Sequence, residues 1–188
     1  MTCLPSLLYA IVDPTQMWGR PFDSVLDDML AGGVSVLQLR VKDQPADKFL
    51  DMALSAREKT ARANCLFIVN DRVDIALAAQ ADGVHLGQGD LPLEAARHIV
   101  GDKLIGVSTH NLTQAIEAER GGADYIGFGP MFPTHTKETG YTSRGLEMLK
   151  NVRRRVSIPI VAIGGITAAN LAQTRESGAD AIAMISYL

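Results

Sequence analysis

LFIVND, residues 66 to 71, is a run of four apolar side chains closed by two polar ones. It is short for a helix, carries β-branched Ile68 and Val69, and ends at Asn70 and Asp71. Such a run describes a strand buried on both faces, the habit of a parallel sheet. The chain repeats it: LLYAIVD (7–13), VSVLQLR (34–40), GVHLG (83–87), LIGVSTH (104–110), YIGFG (125–129), PIVAIGG (159–165) and AIAMIS (181–186). Most are rich in β-branched residues, and Gly, Asp or Asn bounds many of them.

Amphipathic helical patterns lie between these runs. PADKFLDMALSAREKTARAN predicts a helix with Phe49, Leu50, Ala53 and Leu54 on one face and Lys48, Asp51 and Arg57 elsewhere. NLTQAIEAERGG opens on a plausible cap at Asn111 and stops at Gly121 and Gly122, and TAANLAQTRESG predicts the same from Thr167 to Gly178. Strict alternation of strand and helix forces parallel pairing with helical crossovers. Eight strands in that order predict an α/β protein, a closed (β/α)8 TIM barrel forming a single domain over residues 1–188. An open doubly wound sheet has fewer strands and a Gly-rich first turn, whereas the first run here leads into VDPTQMWG. The chain stops at ISYL, so the expected barrel lacks its final helix. Either the sequence is a truncated copy, or a neighbouring helix or a partner covers that flank, which admits a homo-oligomer.

The 188 residues suit one core, with 47% hydrophobic and 21% charged residues. The formal charge of −3 gives no global basic field for nucleic acid or an anionic membrane. No apolar segment is long enough to span a bilayer, and no basic region precedes LLYAIV. Cys3 and Cys65 have no metal-ligand spacing and read as free thiols. A cytoplasmic protein is expected.

Barrel chemistry gathers where strands end. The second run ends with Gln38, Arg40 and Lys42, which a period of two places on one side, inward and toward the mouth. Asn70 and Asp71 close the third, Gln88 and Asp90 follow the fourth, and Ser108 and His110 end the fifth. The sixth leads into Thr134, His135, Thr136 and Lys137; the seventh ends with Gly164 and Gly165, the eighth with Ser186. Arg40, Lys42 and Lys137 are cations converging on one mouth, suited to a diphosphate. Asp71 and Asp90, two carboxylates from neighbouring strands, suit Mg²⁺. Gly165 and Ser186 stand where such barrels hold a phosphate on backbone N–H groups. The competing readings are that Asp71 caps a helix starting at Arg72, that Asp90 caps one beginning near Pro92, and that Arg40 and Lys42 are a solvated strand end. His85 reads as a satisfied core histidine and His98 as exposed on a helix, while His110 and His135 have no assigned role. Met17 and Trp18 could cover a flat ring or simply pack.

At these residues the sequence closely resembles the thiamine-phosphate synthase family. QLRVK, NDRVDIALAAQADGVHLGQGD, IGVSTH, ADYIGFGPMFPTHTK, IPIVAIGGI and MIS stand in that family's order across residues 38 to 186. The resemblance implies a transferase of thiamine biosynthesis that joins hydroxymethylpyrimidine diphosphate to hydroxyethylthiazole phosphate, with phosphorylated small molecules as its partners. It implies that Gln38, Arg40, Lys42, Asn70 and Lys137 hold the pyrimidine's diphosphate, with Asp71 and Asp90 on Mg²⁺. Ser108 would contact the pyrimidine or the diphosphate. Thr134 and Thr136, with the backbone at Gly165, Ile185 and Ser186, would bind the thiazole phosphate. The family's chemistry gives Lys42, Ser108 and Lys137 the catalytic places. Two departures stand out: the missing eighth helix beside Ser186, and ETGYTSRG after Lys137. The alternatives are a thiazole tautomerase-like isomerase, which needs no diphosphate or metal handling, and a non-catalytic barrel that binds thiamine phosphates.

Overall fold

The computed structural model describes residue 4, residues 7–134 and residues 142–185. Eight parallel strands close into a barrel in sequence order. They are β1 (Leu8–Val12), β2 (Val36–Leu39), β3 (Leu66–Asn70), β4 (Gly83–Leu86), β5 (Leu104–Thr109), β6 (Tyr125–Phe128), β7 (Ile160–Ile163) and β8 (Ala181–Met184). β8 pairs back onto β1 through Leu8↔Ile182, Tyr9↔Ala183 and Ala10↔Met184, which removes any sheet edge.

Seven α-helices lie among the described residues: α1 (Phe22–Ala31), α2 (Ala46–Arg62), α3 (Val73–Ala78), α4 (Leu93–Val100), α5 (Leu112–Arg120), α6 (Gly145–Arg153) and α7 (Leu171–Glu176). Asn111 caps α5 as its sequence predicts, accepting from the Gln114 N–H at 2.9 Å. Two helical expectations change. In α2 the inward stripe is Phe49, Ala53, Ala56 and Thr60, and Leu54 is 48% exposed. Alanines at a spacing of three to four let the helix lie close to the strands, so the bulkier leucine rides on the outer shoulder. The helix predicted from Thr167 begins only at Leu171, because the Asn170 carboxamide turns back to the Thr167 N–H and holds the segment before it in a turn.

Outward side chains of the strands meet the helices in two apolar layers, one around β1 to β5 and one around β6 to β8. Inward side chains form a separate interior cluster that includes Tyr9, Ile11, Val36, Ile68, Tyr125 and Val161. That is why both faces of each strand are apolar.

The lower rim carries a device that recurs in the sequence as Ala-Asp just before β4, β6 and β8. Asp82 accepts from the Phe67 N–H and from Arg57, Asp124 from the Ile105 N–H and Arg97, and Asp180 from the Ile160 N–H and Arg153. Each carboxylate thus ties the first N–H of one strand, or the N–H just inside it, to an arginine of a helix and to the start of the next strand. These clasps sit at the face opposite the mouth, where barrels keep their stability determinants.

Candidate active site

At the mouth, the ends of β1 to β4 assemble charged side chains in pairs. Asp13 leaves β1 buried, accepts from the Thr15 N–H at 2.9 Å and from its hydroxyl at 2.7 Å, and pairs with Arg40 beyond β2. Two residues further, Lys42 pairs with Asp71 at the end of β3. Asp71 has φ +63°, a left-handed conformation that Asp tolerates better than most side chains, and its N–H donates to the His85 carbonyl at 2.8 Å. Asp71 caps no helix: α3 starts at Val73 with no side-chain cap. Nor does Asp90 cap α4; its carboxylate accepts from the Gly87 N–H at 2.7 Å. A Cβ on Gly87 would stand 2.9 Å from the Asp90 oxygen, so glycine is what lets the loop close around the carboxylate. Burial first, and then the neighbouring Asp71 carboxyl, push the Asp90 pKa above the usual carboxylate range, while the Gly87 N–H and Lys42 pull it down. Among the described residues no three His, Cys, Asp or Glu side chains gather into a complete metal cage. Asp71 and Asp90 are a like-charged pair whose crowding a hard dication would relieve.

Below the mouth the barrel interior is polar along one line. Gln38 donates its amide to the Tyr9 hydroxyl at 2.9 Å, and the Tyr9 and Tyr125 hydroxyls lie 2.7 Å apart. Tyr125 reaches His85 Nδ1 at 3.2 Å, and His85 Nε2 lies 2.9 Å from the Ser108 Oγ. Gln88 donates to the Ser108 carbonyl at 2.6 Å. Asn70, 8% exposed, stands beside His85 in the strand register. Two inward glycines make room: a Cβ on Gly106 would lie 2.1 Å from the Tyr125 ring, and one on Gly127 3.1 Å from the His85 ring. His85 is thus a buried, satisfied histidine, as its place in the strand suggests, and it touches a mouth residue. His98 is exposed on α4.

On the far side, the chain after β6 is stitched to the end of β7. Gly129–Pro130 is a cis peptide, the Met131 N–H donates to the Ile163 carbonyl at 2.9 Å, and the Phe132 N–H to the Gly164 carbonyl at 3.0 Å. Gly164 and Gly165 adopt φ +96° and +66°, and Cβ atoms there would meet Pro130 at 2.8 Å and the Pro133 carbonyl at 2.6 Å. The diglycine is therefore the seat for the loop. His110 Nδ1 lies 2.7 Å from the Gly129 carbonyl, which only accepts, so Nδ1 carries the hydrogen and Nε2 is the acceptor nitrogen of the neutral ring. Thr134 is half-buried, and Ile185 packs against the interior cluster. His135, Thr136, Lys137 and Ser186 lie outside the described residues.

The structure thus brings together Arg40, Lys42, Asp71 and Asp90 at one mouth and Gln38 and Ser108 at opposite ends of one hydrogen-bonded line. Sequence reading missed Asp13, Tyr9 and Tyr125. Asp13 had a signal, an acid ending the first run in the place Asp71 holds in the third. The tyrosines had only the alternation that puts positions 9 and 125 inward. Trp18, 80% exposed with φ +54°, lines a cleft with Asp13, Met17, Arg20 and Ile185 beside the mouth, and Met17 also packs on the outer core.

Residues 8–188 match the family model described as thiamine monophosphate synthase. The chain is 48% identical over 179 residues to the thiamine-phosphate synthase of Chloroflexus aurantiacus, covering 95% of this chain and 83% of that one. It is 47% identical to the thiamine-phosphate synthase of Methanocella arvoryzae, covering 95% and 85%. The solved thiamine phosphate pyrophosphorylase from Pyrococcus furiosus superposes with a TM-score of 0.88 at 40% identity, over 95% of this chain and 85% of that one. A mouth of paired acids and bases on a closed barrel and a match running from β1 past β8 lead to one conclusion: the chain belongs to the thiamine monophosphate synthase family.

Proposed function

We propose that this chain condenses 4-amino-2-methyl-5-hydroxymethylpyrimidine diphosphate with 4-methyl-5-(2-hydroxyethyl)thiazole phosphate, giving thiamine monophosphate and diphosphate. The carrying observation is the four-charge mouth, Arg40 and Lys42 with Asp71 and Asp90, on a chain of this family. A diphosphate there meets two cations, each already aimed by a carboxylate: Arg40 by Asp13 and Lys42 by Asp71. Asn70 adds an amide donor from the end of β3, and Lys137 adds a third cation.

Asp71 and Asp90 would hold Mg²⁺, which supplies charge neutralisation for the departing diphosphate. In the reaction the bond between the pyrimidine's methylene carbon and the diphosphate oxygen breaks, and the electron pair leaves with the diphosphate. Lys42, Arg40 and Lys137 stabilise that developing charge. The aminopyrimidine ring spreads the positive charge left on the methylene, Ser108 fixes the ring or the diphosphate, and the thiazole nitrogen supplies the pair for the new C–N bond. Thr134, Thr136 and the backbone at Gly165, Ile185 and Ser186 would hold the thiazole phosphate close to the cation. No covalent enzyme intermediate is required, so the chain positions two substrates and excludes water.

Among the described residues no helix is long and apolar enough to cross a membrane. The reading places the protein in the cytoplasm, on soluble phosphorylated substrates, with self-association tested by its mass in solution. Purified protein given Mg²⁺ and both substrates should release diphosphate as thiamine monophosphate forms. Absence of product from folded protein overturns the reading, and tautomerisation of a carboxythiazole phosphate instead would make it an isomerase.

A further inference from the structure

Five side chains from five strands form one continuous line of hydrogen bonds through the barrel: Gln38, Tyr9, Tyr125, His85 and Ser108. The line has a direction, because among the described residues the Tyr9 hydroxyl has only Gln38 and Tyr125 as partners and the Tyr125 hydroxyl only Tyr9 and His85, so each must pass its hydrogen along to have it bonded. The Gln38 amide nitrogen only donates, so the Tyr9 oxygen accepts. The Tyr9 hydrogen is then given to Tyr125 at 2.7 Å, and the Tyr125 hydrogen to His85 Nδ1 at 3.2 Å. A neutral His85 that accepts at Nδ1 carries its hydrogen on Nε2, which donates to the Ser108 Oγ at 2.9 Å. The Ser108 hydroxyl, having accepted from below, is left with its own hydrogen to give.

We propose that Gln38 is a positioning residue that acts through this line, fixing His85 as the Nε2–H tautomer so that Ser108 meets the pyrimidine substrate as a hydrogen-bond donor. The acceptor it serves is a ring nitrogen or a diphosphate oxygen, and to that extent the inference rests on the proposed function. The line is built in. Gln38 is 3% exposed, both tyrosines are fully buried, and glycine at 106 and 127 clears the space for the Tyr125 and His85 rings. Burial pushes both tyrosine hydroxyls well above their usual range, so each keeps the hydrogen the line passes along. Hydrogen-bonded chains in a low-dielectric interior polarise one another, which makes a single orientation favourable along the whole line.

The test is nitrogen NMR of protein labelled at histidine, free of substrate, where one- and two-bond nitrogen–proton correlations distinguish the two neutral tautomers. The wild-type His85 resonances should show hydrogen on Nε2. Hydrogen on Nδ1 means the line runs the other way, and overturns the proposal without any variant. In Gln38→Met the polarity is no longer set, and both tautomers should be populated; a pure Nε2–H form there also overturns it. A kinetic cycle gives the functional side. Gln38→Met should lower kcat/KM about tenfold in the parent and by clearly less in a Ser108→Ala background, because the two residues act as one unit. An equal loss in both backgrounds would show that Gln38 works independently of Ser108 and would refute the relay. If wild-type protein makes no thiamine monophosphate, the proposed function fails while the tautomer result stands by itself.

Discussion

Lys42 at the end of the β2 extension pairs with Asp71 at the end of β3, and the same Asp71 carboxyl lies beside Asp90 from the next strand end. One cation and two carboxylates thereby share a single corner of the mouth. Two acids side by side are unfavourable unless something positive joins them, and Lys42 meets only part of that need. Under the proposed function, the corner would take a dication together with the negative charge of the diphosphate.

Asp71→Asn should keep the fold and lose Mg²⁺-dependent turnover by about a hundredfold or more. Asparagine tolerates the left-handed backbone at φ +63°, so strain does not confuse the result. Turnover measured against Mg²⁺ concentration, with circular dichroism as the check on folding, decides it. Unchanged activity would remove Asp71 from the metal role.

Asp90→Asn should raise thermal stability in chelator-treated protein at neutral pH. The native pKa of Asp90 lies above its unfolded value, so the stability tied to its proton is present at low pH. It falls as pH rises from the ordinary Asp value, near about 4, to the raised native one. The gap in melting temperature between variant and parent should therefore close below that window and open above it. Added Mg²⁺ should raise the parent's melting temperature and leave that of the variant unmoved. A pH-independent gap would contradict the account.

Gly165→Ala should destabilise by about 1–2 kcal/mol from the left-handed backbone alone. It should cost more as its Cβ, 2.6 Å from the Pro133 carbonyl and 2.8 Å from the Phe132 Cβ, lifts the loop off β7. The KM for the thiazole phosphate should rise more than that for the pyrimidine diphosphate. Denaturant midpoints and steady-state kinetics measure the two effects, and equal shifts in both KM values would detach this loop from the thiazole side.

Asp124→Ala tests the opposite rim. It strands the Ile105 N–H and takes from Arg97 its carboxylate partner while leaving it the Gly101, Lys103 and Gly122 carbonyls, a cost of roughly 1–3 kcal/mol. Because the clasp is a barrel length from the mouth, KM for both substrates should stay the same while the unfolding midpoint falls. A change in KM at full folding would mean that the lower rim shapes the site.

Much of this was legible in the chain because burial on both faces leaves a strong trace. All eight apolar runs became strands in their own order, and Arg40, Lys42, Asp71 and Ser108 stand at strand ends as read. What stayed hidden depended on partners distant in sequence. Asp13 looked like a strand boundary, and only the pairing of β1 with β2 reveals Arg40, 27 residues on, as its partner. Tyr9 and Tyr125 look like any strand aromatic until closure sets their hydroxyls 2.7 Å apart across 116 residues. In α2, hydropathy placed Leu54 beside Phe49 and Ala53 and passed over Ala56, which packs, because side-chain size says little about how close a helix must lie.

The most direct test of the central claim is a discontinuous assay of purified wild-type protein with Mg²⁺, the pyrimidine diphosphate and the thiazole phosphate, with product oxidised to a fluorescent derivative. Thiamine monophosphate and diphosphate should appear in equal amounts, and omission of either substrate should abolish both. Folded protein that yields neither, or that releases diphosphate without forming thiamine monophosphate, would contradict the account.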